Sequence, residues 1–309
     1  MTVSSRGVAE SRSREVAEGD ALGQATVERA PTASPWGLRR RIAVAIAYQE
    51  LRDAVFGWSL YLTAAVALLI GTLLLYNTMQ AVGESGLAIV ARPFFQPVLV
   101  ATSLAIVYLA GWAALAIARP RDQGSLRVLF FAPVDAFSLL AGHMMAALAV
   151  YALFLILTVP VFVVLSALLN LPLPVMLIAG MLVSIAFVAP AVAIGLFISA
   201  IAGSSRDAIF LFGIVLVVTV GVQSGYNALQ GVAPESPYYD ALLFLREVLR
   251  AGRDALRWIS PLALLSEGLD ASLRSNWREL ATTALSGIAG SILWLALGGW
   301  ALRRRGVLP

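Results

Sequence analysis

The chain has no cysteine among its 309 residues. That excludes disulfides, thiolate metal sites and a thiol nucleophile. It has no lysine either, since all 22 basic residues are arginine. A phosphate-binding Gly-x-x-x-x-Gly-Lys loop therefore cannot occur, and the chain cannot itself be a Walker-type ATPase. One histidine, His143, cannot supply a histidine-rich metal cluster. Charge is scarce too. Only 13% of residues are charged, where a soluble domain carries about a quarter. With 60% of residues hydrophobic and a mean hydropathy of +0.85, the chain holds too little polar surface to cover itself in water. Lipid must be its solvent. The net charge of +4 comes from arginines scattered around apolar segments rather than gathered in one basic domain, so it does not point to nucleic acid.

What the chain does have is long apolar runs. Residues 1–35 come before them, polar and without apolar periodicity, and are expected to form a disordered cytoplasmic tail. No apolar run follows Arg6, Arg12 and Arg14 closely enough for a signal peptide. From Pro35 to Phe56, Val44, Tyr48, Leu51 and Val55 recur at helical spacing on one face, with Gln49 and Asp53 opposite. The pattern predicts an amphipathic helix, too polar to span, lying in the headgroup region. Arg39, Arg40 and Arg41 would there meet anionic lipid or a cytoplasmic partner. Six spans follow, near Trp58–Tyr76, Phe94–Ala118, Leu139–Leu169, Pro174–Ile201, Ala208–Tyr226 and Ala281–Leu302. Each is close to or above the ~20 residues that cross the hydrocarbon core. Pro160 and Pro190 lie inside the third and fourth, where a missing N–H favours a kink.

Six spans place both termini on one side. The short segments of that side hold Arg39 to Arg41, Arg52, Arg119, Arg121, Arg127, Arg206 and Arg303 to Arg305, while the short loops opposite hold only Arg92. The positive-inside rule then puts both termini in the cytoplasm, in a multi-pass protein of the cell membrane. The expected fold is all-α: a polytopic membrane protein with six transmembrane helices and an N-terminal interfacial helix. Residues 227–280, between the fifth and sixth spans, form an extracytoplasmic helical segment. Within it, Ser236-Pro237 reads as an N-cap and first-turn proline. Arg246, Arg250, Arg253 and Arg257 make one stripe, with Leu245, Val248, Leu249 and Leu256 largely off it, and Tyr238, Tyr239 and Trp258 suit an interface. An amphipathic helix on the outer surface is expected. Its arginines either bind an anionic substrate or lipid, or snorkel to headgroups.

The spans hold almost no ionisable residue, although such residues mark function inside membranes. His143, at the start of the third span, is explained by a neutral, hydrogen-bonded imidazole. There are no paired carboxylates at membrane depth and no serine nucleophile beside a base. Gly124-Ser125 and Gly203-Ser204 lack a nucleophile elbow. A proton-coupled carrier usually needs a relay inside the membrane. A transporter with neither relay nor motor draws its energy from a partner chain.

The most specific stretch joins the second and third spans, within residues 119–138. It reads Arg121-Asp122-Gln123-Gly124-Ser125-Leu126-Arg127, then Phe131-Ala132-Pro133-Val134. This resembles the acidic-x-Gly-Thr/Ser-Leu, then Pro-Val, signature of permease subunits of type-2 ATP-binding-cassette (ABC) transporters. Asp122 matches the second acid of the family's pair, and Pro120 replaces the first. The segment from Arg40 to Phe56 is similar to the family's connecting helix. Gly195 to Ala200, followed by a link with Arg206, is similar to its junction of the fourth and fifth spans. Ser260-Pro261-Leu262 resembles the start of its outer helices, and Arg303 to Arg305 its basic tail. The resemblance covers residues 38–309.

What the resemblance implies is a permease domain over residues 36–309, paired with a second permease chain as a homo- or heterodimer and set in membrane lipid. It implies an ABC ATP-binding subunit as partner, which holds ATP and Mg, so that no cofactor or metal is bound and no catalysis is carried by this chain. Arg121, Asp122, Gly124, Ser125, Leu126, Pro133 and Val134 would couple ATP hydrolysis to movement, usually for efflux. Gly124 permits a tight turn, Leu126, Leu129 and Phe130 offer apolar knobs, and Arg121, Asp122 and Arg127 a charged rim. The same resemblance covers a subunit for metalloenzyme maturation or assembly. A lipid-modifying intramembrane enzyme would instead gather Asn227, Glu235, Glu267 and Asp270 near the outer surface. Inner faces of Ala, Leu, Val and Gly, with Thr102, Ser103 and Ser184 as polar handles, favour an apolar or amphipathic cargo.

Overall fold

A computed structural model of the chain describes residues 35–85, 93–124, 135–230, 239–257 and 260–304. The tail, most of the loop between the second and third spans, and Arg92, Glu235, Ser236-Pro237, Tyr238, Trp258 and Arg305 lie outside the described residues. The chain divides into two units, Met1–Arg40 and Arg41–Pro309. Of the first, residues 35–40 are described, and they are helical. All that follows concerns the second.

The helices are α1 (Pro35–Phe56), α2 (Trp58–Ser85), α3 (Phe95–Leu115), α4 (Ala118–Asp122), α5 (Ala136–Leu168), α6 (Val175–Val183), α7 (Ile185–Ile201), α8 (Ser205–Gln230), α9 (Tyr239–Arg257), α10 (Pro261–Leu273) and α11 (Trp277–Arg304). No strand occurs among the described residues. Six segments are long and apolar enough to cross a membrane: Trp58–Gln80, Phe95–Asp122, Ala136–Leu168, Val175–Ile201, Ser205–Val222 and Trp277–Arg304. An all-helical fold with six spans is thus what the hydropathy pattern required.

The fourth span, α6 with α7, is the centre of the packing. It combines small residues with large buried ones such as Phe187, Val188 and Leu196. Small residues let backbones approach in lipid, where burial of apolar surface does not by itself drive helices together. A Cβ on Gly195 would overlap the Ala110 carbonyl of α3. On the opposite side, a Cβ on Gly287 of α11 would come within 2.6 Å of the Ala186 carbonyl. Pro190 lies inside α7, and its missing N–H deprives that same Ala186 carbonyl of its usual helical donor. Gly287 therefore brings α11 against the place that Pro190 opens.

The span breaks at Ser184, six residues ahead of the proline that predicted a kink. There the Ser184 hydroxyl donates to the Met181 carbonyl, and the buried Tyr151 hydroxyl of α5 lies 2.6 Å from Ser184 Oγ. The third span itself runs on through Pro160 as one helix.

The sequence did not say what two elements pack on. Within residues 227–280, whose Arg-striped helix was expected at the outer surface, α10 packs along α6 and the start of α7. Ser272 Oγ donates to the Met176 carbonyl, Gly268 sits against the Phe187 ring, and Leu264, Leu265 and Leu269 are buried. Ser260 begins α10 as its N-cap, accepting from the Ala263 N–H, with Pro261 in the first turn. Helix α9 returns along α8: Leu249 meets Gly225, and Gly252 meets Val222. Helix α1 carries a second apolar face. Val44 and Tyr48, from the predicted stripe, are exposed, while Ala43 is buried and Ile46, Leu51 and Ala54 pack on the core. Apolar residues on both sides leave no single greasy stripe.

Candidate coupling site

The site is built where the second span ends. Helix α3 stops at Leu115, and α4 starts at Ala118. Pro120 lies in α4, and its ring disfavours continuous helix by clashing with the carbonyl four residues back. A break leaves N–H groups without helical acceptors. Here the buried Ser199 hydroxyl of α7 fills that need, accepting from the N–H of Ile117 at 2.9 Å and of Ala118 at 3.0 Å.

The rest of α4 is tied to the same junction. Arg121 Nη1 donates to the Ala202 carbonyl. Asp122 Oδ2 accepts from the Ser205 N–H at 2.7 Å. Ser205 opens α8, so the carboxylate sits where the first N–H groups of a helix converge and where its dipole favours an anion. Ser204 caps the same helix, accepting from the Asp207 N–H at 3.2 Å. Beneath these polar links, Ala118, Ala202 and Ala208 form a small apolar pad with Leu115. Helix α4 ends at Asp122 with Gln123 as its C-cap, and Gly124 follows, its N–H donating to the Arg121 carbonyl at 3.1 Å. Its φ of +70° lies in the left-handed region that glycine enters without strain.

Of the seven residues the sequence singled out, the structure therefore places Arg121, Asp122 and Gly124 together at this corner. Ser125, Leu126, Pro133 and Val134 lie outside the described residues, as do Arg127, Leu129 and Phe130. The chain is described again from Asp135, which caps the third span by accepting from the Phe137 N–H. Sequence reasoning missed Ser199, Ala202 and Ser205. The stretch from Gly195 to Ala200 was noted, but nothing in it said that its serine serves a helix some 80 positions away.

Elsewhere, Asp270 pairs with Arg274 one turn on at 2.5 Å. The Asn227 side chain and Glu235 are outside the described residues, and no cluster of metal-ligating residues occurs among those described. His143 is buried where α1 crosses α5, with Nδ1 3.6 Å from Glu50 Oε1, beyond hydrogen-bond reach. Burial, and then the nearby Asp53, push the Glu50 carboxyl above its ordinary range.

One cavity, of about 360 Å³, opens between the second, fourth, fifth and sixth spans. Ala110, Ile194, Phe212 and Trp294 line it, with the hydroxyls of Thr219 and Ser260. Thr219 donates to its own helix at Val215, and Ser260 caps α10. The wall carries no charge.

A family model described as ABC-2 family transporter protein matches residues 44–307. The chain belongs to the ABC-2 transporter family. It is a permease, the multi-pass membrane component of an ABC transporter, and such a component works with an ATP-binding partner subunit. No curated protein matches the permease.

Proposed function

We propose that this permease couples ATP hydrolysis by a separate ABC ATPase to export of an apolar or amphipathic cargo across the cytoplasmic membrane, as one of two paired permease chains. Both termini and residues 119–138 face the cytoplasm, a reading that the arginine distribution supports. Residues 125–134 dock on the ATPase through Leu126, Leu129 and Phe130, and ATP and Mg are held by that partner. The observation that carries the reading is the corner at α4 in a chain of this family. A short helix, turned sharply at Gly124, joins the proposed docking segment to the junction of the fourth and fifth spans. Cargo class rests on the uncharged cavity of about 360 Å³, within the range of small-molecule pockets.

The test is affinity purification of the tagged chain from its own host in mild detergent. A Walker-motif ATPase is expected to co-purify, and Leu126→Asp is expected to release it. A stable chain that retains no ATPase would overturn the reading. Because the chain lacks cysteine, Ser125→Cys gives a second check. Impermeant thiol reagent must reach it from the cytoplasmic side, and labelling from the exterior alone would exclude a coupling role.

A further inference from the structure

We infer that Asp122 and Ser199 are positioning residues that clasp α4 to the junction of the fourth and fifth spans, making the fifth span the part that the coupling loop moves. The direction of drive rests on the coupling reading above; the clasp itself does not.

The resemblance assigns Asp122 to the surface that meets the ATPase. The geometry gives its Oδ2 to the Ser205 N–H, at the first turn of α8. Three further links run in parallel with it. Ser199 holds the two N–H groups at the helix break, Arg121 holds the Ala202 carbonyl, and the alanine pad fills the space beneath. The hydrogen bonds of Asp122 and Ser199 are directional and run through short side chains, so α4 and the start of α8 turn together.

What lies beyond the clasp decides which helix yields. The most apolar stretch of the fourth span is 72% buried within the chain, and that of the fifth 6%. Within the single chain, a displacement of α4 meets close packing along α7 and less along α8. Segments with few buried contacts are the ones that open or shift at low free energy. The fifth span also forms one wall of the cavity through Phe212 and Val215, so its movement would change the width of that cavity.

The experiment uses the full chain in lipid nanodiscs, with spin labels on two introduced cysteines. One replaces Arg119, exposed on α4, and the other Val217, exposed on α8. The wild-type background is expected to give one narrow distance. Asp122→Ala is expected to spread it to roughly twice that width, as a locally held segment loosens. Asp122→Asn keeps an acceptor oxygen and is expected to restore the narrow distance. An unchanged width in Asp122→Ala would overturn the clasp. So would loss of the co-purifying ATPase in that variant, because Asp122 would then be a docking contact. Ser199→Ala leaves two buried N–H groups without their acceptor and is read only if it folds; the exposed Asp122 carries the test regardless. A wild-type chain that retains no ATPase would sink the coupling reading, while the width would still decide the clasp.

Discussion

The fourth and fifth spans follow one another, joined by the short link 202–204, and both are apolar enough to cross a membrane. Yet 72% of the fourth span's most apolar stretch is buried within the chain, against 6% of the fifth's. The fourth is the more apolar of the two, yet hydropathy alone does not say which is buried within the chain. Both read as runs of Leu, Ile, Val and Ala, because lipid and protein interior are equally apolar neighbours. Small residues at contacts do distinguish them. A Cβ on Gly195 would meet a backbone carbonyl, whereas on Gly213 or Gly221 of the fifth span it would meet nothing within 4 Å. Phe210 and Val217 of the fifth span are each 70% exposed. In a membrane protein, such a face is free for lipid or for the second permease chain that we propose.

The strongest way to break this contrast is to put the same bulky residue on both spans. Gly195→Leu, and Gly287→Leu on the α11 side, should cost about 3 kcal/mol or more, since a backbone carbonyl cannot rotate out of the way. Gly213→Leu and Gly221→Leu should stay within about 0.5 kcal/mol. Thermal unfolding of the purified chain followed by size-exclusion recovery measures both, and equal losses would refute the packing difference.

Ser199→Ala tests the corner between the two spans and should lose about 1–3 kcal/mol, the cost of leaving buried N–H groups without an acceptor. Its unfolding midpoint should fall well below that of Ser103→Ala. A smaller loss, about 0.6 kcal/mol, is expected for Tyr151→Phe, since hydrogen bonds between membrane helices average near that value. That variant removes the hydroxyl beside the Ser184 break, and a midpoint indistinguishable from wild type would show that the break needs no pin.

The smallest effect is expected at α1, which, like the fifth span, has an exposed apolar face. The Glu50 carboxyl is raised by burial and by Asp53. A raised carboxylate favours the fold while protonated, so its contribution is present at acid pH and lost as pH rises through the raised value. Wild type should therefore lose some stability from acid toward neutral pH. Glu50→Gln should flatten that dependence, and an unchanged slope would mean that Glu50 does not titrate there.

Much of the fold was legible before any coordinate. The spans were, because ~20 apolar residues in a row have few other solutions. Gly124 as a turn was legible, since few other residues tolerate a φ of +70°. The packing of α10 was not. Ser260-Pro261 announces a helix start, but a cap says nothing about what the helix then packs on. The break at Ser184 was hidden behind Pro190, because proline is visible in a sequence and a hydroxyl bonding back to its own helix is not. At the candidate coupling site, the glycine turn and the acid were readable as types, while the acid's partner was not.

The sequence by itself determined that this chain lives in lipid, crosses it six times as helix, and offers no lysine for a Walker loop. Those properties add up residue by residue along a segment, and absent lysine and cysteine are absent everywhere. Tertiary structure alone decided which spans bury one another, and that Asp122 and Ser199 serve backbone N–H groups some 80 residues away. A small or polar side chain permits a close contact without naming its partner, and the partner is settled only when distant backbones meet.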